Sequence, residues 1–312
     1  MGEVVALAGS LSGVRGYWPL ILLLAAMWGA SYLFIKLAVE DIPPAAMTEL
    51  RVLLAGVLLF AYLASRMGTS RAIAELRAAW LPCLVLGVIN AAVPMGLVAW
   101  GETHIDSSVA GIAQSTVPIF TFILAARFLP HEPVGAIRIA GVALGFLGVA
   151  ALAGLDTSGG WWVIAGTLAV VLSSLSYAAG GVYGQLQIRD VAGPVLATGN
   201  MLAAALVLLP LAVIDPPREL PGSGAVAGLV ALILIPTFAG QLLLFRVLRL
   251  HGSRKLSIVT YLMPAFAVVY GALLLDEPIT SAMLVGFGLI ALGAALASGQ
   301  RYFGVRTRES PA

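Results

Sequence analysis

Ser115-Thr116-Val117-Pro118, followed by Glu132-Pro133, Gly141 and Gly148, returns near the end of the chain as Tyr261-Leu262-Met263-Pro264, Glu277-Pro278, Gly286 and Gly293. The offset is 146 residues at the proline and 145 from the glutamate onward, so a single residue separates the two registers. The comparison carries backwards as well. Trp28-Gly29 with Lys36 aligns with Tyr177-Ala178 with Gln185, and Pro44 aligns with Pro194. The chain is therefore read as a duplication, with residues 1–155 and 156–312 as the copies. They are expected to form one structural unit, because an isolated half would leave its inner face unpacked.

Both copies are strongly apolar. Of 312 residues, 60% are hydrophobic and 10% charged, against roughly a quarter charged in a soluble domain. A hydrocarbon core ~30 Å thick needs about 20 apolar residues per helix. Ten such stretches begin near Tyr17, Pro44, Trp80, Ser107, Val134, Trp161, Pro194, Gly224, Ser253 and Ile279. Alternating-polarity strands are absent, which argues against a barrel. The predicted fold is all-α: a polytopic membrane protein of ten helices in two five-helix repeats. An odd number of spans per repeat inverts the second copy relative to the first, with a central cavity between them.

The basic residues give the orientation. With the N-terminal tail placed inside, 14 of the 17 Lys and Arg fall in the tails and the connections on that side. This supports ten spans with both termini cytoplasmic. The first apolar run lacks a small-residue cleavage motif and is read as a retained span. Cys83 is the single cysteine and lies in span three, which excludes an intrachain disulfide and a cysteine-based metal cluster. The basic loops are topology signals, so no nucleic-acid partner is expected.

In order and spacing, these motifs resemble the drug/metabolite transporter superfamily, EamA type. The resemblance rests on Trp28-Gly29-Ala30-Ser31 leading to Lys36, on Pro44 then Arg51, and on the Pro118 to Glu132 to Gly141 block with its partial echo. It covers nearly the whole chain. It implies ten helices around a central cavity, transport of small metabolites, often outward, and placement in a cell inner membrane. Gln185 stands where the second repeat often carries a basic residue.

Proline within a helix removes a donor and frees the carbonyl four residues earlier, which is tolerated in lipid only beside protein or a wet cavity. Spans three, four, eight and nine carry Pro94, Pro118, Pro236 and Pro264 near their middles, and these are the expected hinges. The freed carbonyls belong to Asn90, Gln114, Leu232 and Thr260. Asn90, Gln114 and Thr260, with Thr237 and Gln241, are expected to line a midplane cavity; the alternative for each is an interhelical hydrogen bond. Trp28, Tyr177 and Tyr261 are mid-span aromatics that either pack in the core or complete a pocket. Lys36, Glu49 and Arg51 sit toward the external ends of spans one and two, where a pair such as Lys36 with Glu49 would seal or gate the mouth. No Asp or Glu is expected at the midplane, so proton coupling through a buried carboxylate is poorly supported and transport down the solute's own gradient is an equal expectation.

Other features read as structural. His104, His131 and His251 lie in connections or at span ends, without partners at metal-ligand spacing, and are expected to be solvated. Glu132 and Glu277 precede Pro133 and Pro278 and are expected to cap the helices they begin. The glycines of spans five and ten let helices approach closely, so both spans are expected to pack tightly, with a second copy as one partner, and a monomer or homodimer is expected. No metal, cofactor or catalytic set is visible, which argues against an intramembrane enzyme. A channel lacks rings of charge, and a sugar-phosphate or nucleotide-sugar antiporter would want two deep basic residues. The reading is a transporter of small neutral or zwitterionic solutes, with amino acids, aromatic ones included, foremost.

Overall fold

Apolar on all sides, these segments have no water-facing surface to present, and each buries its backbone polar groups as helix. The computed structural model describes residues 2–129, 135–154, 160–188, 191–256 and 258–298. Among the described residues, eight helices are long and apolar enough to cross a membrane: Trp18–Val39, Pro44–Met67, Trp80–Glu102, Ser107–Phe128, Ala136–Ala153, Gly160–Gln187, Gly193–Ile214 and Ser223–His251. The shorter apolar helices Ile258–Leu274 and Ser281–Ala297 complete the series of spans one to ten. At about 1.5 Å per residue, 17 residues still extend ~25 Å.

One boundary and one additional helix differ from the sequence reading. Span nine begins at Ile258 and not near Ser253, because the helix starting at Gly240 continues through Leu256. Between spans two and three, Thr69–Ala78 forms an additional short helix that buries Ala72 and carries the exposed pair Arg71 and Glu75, 3.7 Å apart.

The packing is crossed between the halves. Span one lies against spans eight and nine, and span six against spans three and four. Span two pairs with span seven and span five with span ten. Small details recur as well: Thr48 Oγ1 donates to Pro44 O at 2.7 Å, and Thr198 Oγ1 to Pro194 O at 2.8 Å.

Lipid supplies no hydrophobic drive between helices, so close backbone approach carries the association. Spans five and ten meet glycine to glycine. A Cβ on Gly293 would stand 2.5 Å from both Gly141 O and Gly145 N, and one on Gly148 would stand 2.8 Å from Ile290 N. The glycine stripes are thus used within the chain.

Successive connections alternate between the two ends of the bundle. The far end, opposite the start of span one, gathers residues 40–43, 103–106, 215–222 and 275–280, and Gly222 N donates to Asp41 Oδ2 there at 2.8 Å. The near end holds a cluster of Leu63, Ala72, Ala79, Cys83 and Val195.

Candidate functional site

The prolines break three helices and leave one intact. Before Pro94 the chain forms a π turn, Val88–Ala92, in which Val93 N–H reaches Val88 O. The residue five before Pro94 is Ile89, so its carbonyl is the one left free by the missing donor, one place before Asn90. Ser176 Oγ on span six donates to it at 2.7 Å. Pro118 follows a break at Ser115 and Thr116, and the Gln114 carbonyl receives Ser174 Oγ at 3.4 Å. Pro236 lies within the π run Ile233–Ala239, where Thr237 Oγ1 donates to Leu232 O at 2.7 Å. At Pro264 the helix Ile258–Leu274 runs through unbroken. At each of the three breaks a hydroxyl therefore donates to a carbonyl beside the proline.

Of the expected pocket residues, Gln114 and Thr237 are committed to helix contacts. Gln114 is buried between Ser173, which donates to its Oε1 at 2.9 Å, and Ser174, which accepts from its Nε2 at 3.0 Å. Thr237 accepts Arg51 Nε at 2.9 Å while its own proton is held by Leu232. Trp28, Asn90, Tyr177, Gln241, Thr260 and Tyr261 keep partial exposure. Trp28 and Asn90 each lie against a glycine of another span: a Cβ on Gly240 would be 2.9 Å from Trp28 Nε1, and one on Gly180 would be 2.8 Å from Asn90 Oδ1.

The charged residues regroup at the far end. Lys36 does not pair with Glu49; its ammonium donates to the carbonyls of Glu102, at 2.9 Å, and Ile105, at 2.8 Å. These carbonyls close the C-terminal end of span three, where a cation meets the negative end of the helix dipole. Glu277 does not cap its own helix. Its carboxylate accepts the backbone N–H of Ser107 at 2.7 Å and of Ser108 at 2.9 Å, and also the Ser108 hydroxyl. It thereby caps span four from the connection between spans nine and ten. Asp276, with φ of 53°, turns the chain toward this position. Gly271 is required there, because a Cβ on it would stand 2.2 Å from Glu277 Oε2 and Ser108 Oγ. Glu132 and His131 lie outside the described residues.

Three features escaped the sequence reading. Glu102 is fully buried, with neither carboxylate oxygen hydrogen-bonded, and Glu49 Oε2 is also buried and unbonded. Tyr32, Tyr177 and Glu102 lie within electrostatic reach of Arg51. His104 is half-buried, and Trp100 and Trp162 flank its ring at centroid distances of 4.5 and 5.1 Å. The signal for Glu102 was available as a lone acid in the last turn of an otherwise uncharged apolar span. Among the described residues, no group of His, Cys, Asp and Glu is placed to hold a metal ion.

Comparison with known proteins agrees with this architecture. The sequence profile of the EamA-like transporter family matches twice, over residues 17–154 and 164–299. An uncharacterized transporter of Archaeoglobus fulgidus is 28% identical over 88% of this chain and 96% of its own length. The uncharacterized inner membrane transporter YedA of Escherichia coli is 28% identical, covering 88% of each chain. A protein of Escherichia coli described as a probable amino-acid metabolite efflux pump is 23% identical over 93% of this chain and 96% of its own. A solved crystal structure shares the fold at 20% identity, with a TM-score of 0.63 over 89% of this chain and 95% of that chain.

Proposed function

This chain belongs to the EamA-like transporter family and is a multi-pass membrane transporter, and on that premise we propose that it exports small neutral or zwitterionic metabolites, amino acids foremost, by alternating access. Residues 1–155 and 156–312 act as inverted repeats, both termini face the cytoplasm, and the far end faces outward across a cell inner membrane. The solute moves down its own gradient. Description of one relative as an amino-acid metabolite efflux pump supports the class and the direction.

The observation that carries this reading is the contrast between the two ends. Toward the far end, Tyr32, Arg51, Glu102, Ser107 and Ser108 are buried, with Arg51 bonded to Thr237 on span eight and Ser107 to Glu277. Trp28, Asn90, Tyr177, Gln241, Thr260 and Tyr261 remain partly exposed. Such a contrast suits a cavity closed outward and open inward, one of the two states the cycle needs. Breaks at Pro94, Pro118 and Pro236 give spans three, four and eight their flexing points, and Pro264 bends in the other state. A sugar phosphate is disfavoured because the Lys36 ammonium is already spent on two carbonyls.

Counterflow in proteoliposomes tests the reading, with phenylalanine, threonine, glucose 6-phosphate and UDP-glucose as labelled probes. Accumulation of an amino acid, reduced by Tyr177→Ala with Tyr261→Ala, is the expected result. Accumulation of the phosphorylated probes alone would sink it.

A further inference from the structure

Arg51 is 7% exposed in the interior of the bundle. Its Nε is fixed by Thr237 Oγ1, and no carboxylate among the described residues lies within ion-pair distance of it. A guanidinium carries five N–H donors and stays charged inside proteins, so the two terminal amino groups are left with no partner among the described residues. These nitrogens are not among the sealed, unbonded polar atoms, whereas both Glu102 oxygens are. They therefore keep some accessible surface. A buried cation with no carboxylate in direct contact is costly, and an intramembrane charge of this kind marks function by default.

The surroundings select the missing anion. Spans one, three and six bring Tyr32, Glu102 and Tyr177 within electrostatic reach of the guanidinium, and span eight brings Thr237. A terminal fork held by its Nε presents two parallel donors, the match for a carboxylate. A phosphate dianion would call for a second cation, and Lys36 is bound to Glu102 O and Ile105 O. Resting on the transporter reading above, we infer that Arg51 is the receptor for the carboxylate of the transported solute, with Thr237 orienting the guanidinium. Recognition then lies on the outward side of the pocket, where spans two and eight meet, and the solute's own charge completes a site that the protein leaves unpaired.

The test uses the full chain in detergent, with thermal unfolding and equilibrium binding of phenylalanine, phenylacetate, phenylalaninamide and phenyl phosphate. The parent should be stabilised by the two carboxylates and not by the amide. Arg51→Met, which removes the unpaired charge and keeps the bulk, should melt at or above the parent without ligand. It should bind phenylalanine at least about tenfold more weakly, with Arg51→Lys between them because an ammonium lacks the fork. Binding of phenylacetate through Arg51 without binding of phenylalanine keeps the receptor and removes the amino-acid reading. Equal binding of phenylalanine and its amide, indifferent to Arg51→Met, overturns the receptor and leaves the amino-acid reading standing. A lower ligand-free melting temperature for Arg51→Met, no carboxylate binding at all, or binding of phenyl phosphate alone also overturns the inference.

Discussion

Glu277 and Ser107 stand 170 positions apart in sequence, yet the carboxylate of one accepts the backbone N–H of the other at 2.7 Å. Through this bond the second half of the chain caps a helix of the first. The group is buried and charge-assisted, so its loss strands two backbone donors at the start of span four.

Glu277→Ala is expected to lower stability by about 2 kcal/mol, in the range for hydrogen bonds to charged groups. It should also loosen the far end. A cysteine at Ser107, in a Cys83→Ala background, reports this, since Ser107 is fully buried. Maleimide labelling of that cysteine should be slow in the parent and markedly faster with Glu277→Ala. Equal rates would remove the latch role.

Gly293→Ala should disrupt assembly of spans five and ten. The added methyl would meet backbone atoms of Gly141 and Gly145 at 2.5 Å, and backbone cannot rotate aside as a side-chain tip can. A loss above about 2 kcal/mol is expected, comparable to severe overpacking. Gly288→Ala, with no atom within 4 Å of its added methyl, is the control and should melt with the parent. Thermal unfolding in detergent, read with size-exclusion profiles, separates the two.

Much of the fold was legible because its determinants are local. Apolar length fixes a span, and a repeated Pro or Gly fixes the register between copies. The site was less so. Proline marked three of the four expected breaks, and the helix at Pro264 stays whole; at Pro94 the Ile89 carbonyl, not that of Asn90, is the one left over once a π turn forms. Gln114 and Thr237 stand beside breaks, yet sequence cannot say that Ser173, Ser174 and Arg51 arrive from other spans to bind them. The Lys36 partners are backbone carbonyls, which carry no signature in sequence. Glu277 was readable as a cap; which helix it caps is a fact of packing between halves.

Gln114 with Ser173 gives a double-mutant cycle. Gln114→Ala alone leaves the two serines without their shared partner, and a cost of about 1 kcal/mol is expected, as for interhelical hydrogen bonds in membranes. Adding Ser173→Ala should cost less than the sum of the single changes, because the second removes a group already deprived. Additive losses would mean that the 2.9 Å contact carries no energy. Transport by Gln114→Ala, measured per folded molecule, should stay near the parent, since its amide is turned to span six.

The corner between spans three and four is held by opposite charges at opposite helix ends. Lys36 reaches the C-terminal carbonyls of span three, and Glu277 the N-terminal amides of span four. Each sign matches the dipole end it meets. Replacing Lys36 by Gln keeps a donor and loses the charge, so about 1 kcal/mol should be lost. Replacing it by Met loses the donor as well and leaves two carbonyls without this partner, at a cost of about 2 kcal/mol. Lys36→Glu sets an anion against the carbonyls and should be the worst of the three. Melting temperatures in the order parent, Gln, Met, Glu support the dipole argument, with far-end labelling rates rising in the same order. If Gln and Glu behave alike, charge is irrelevant at this corner and Lys36 acts only by filling space.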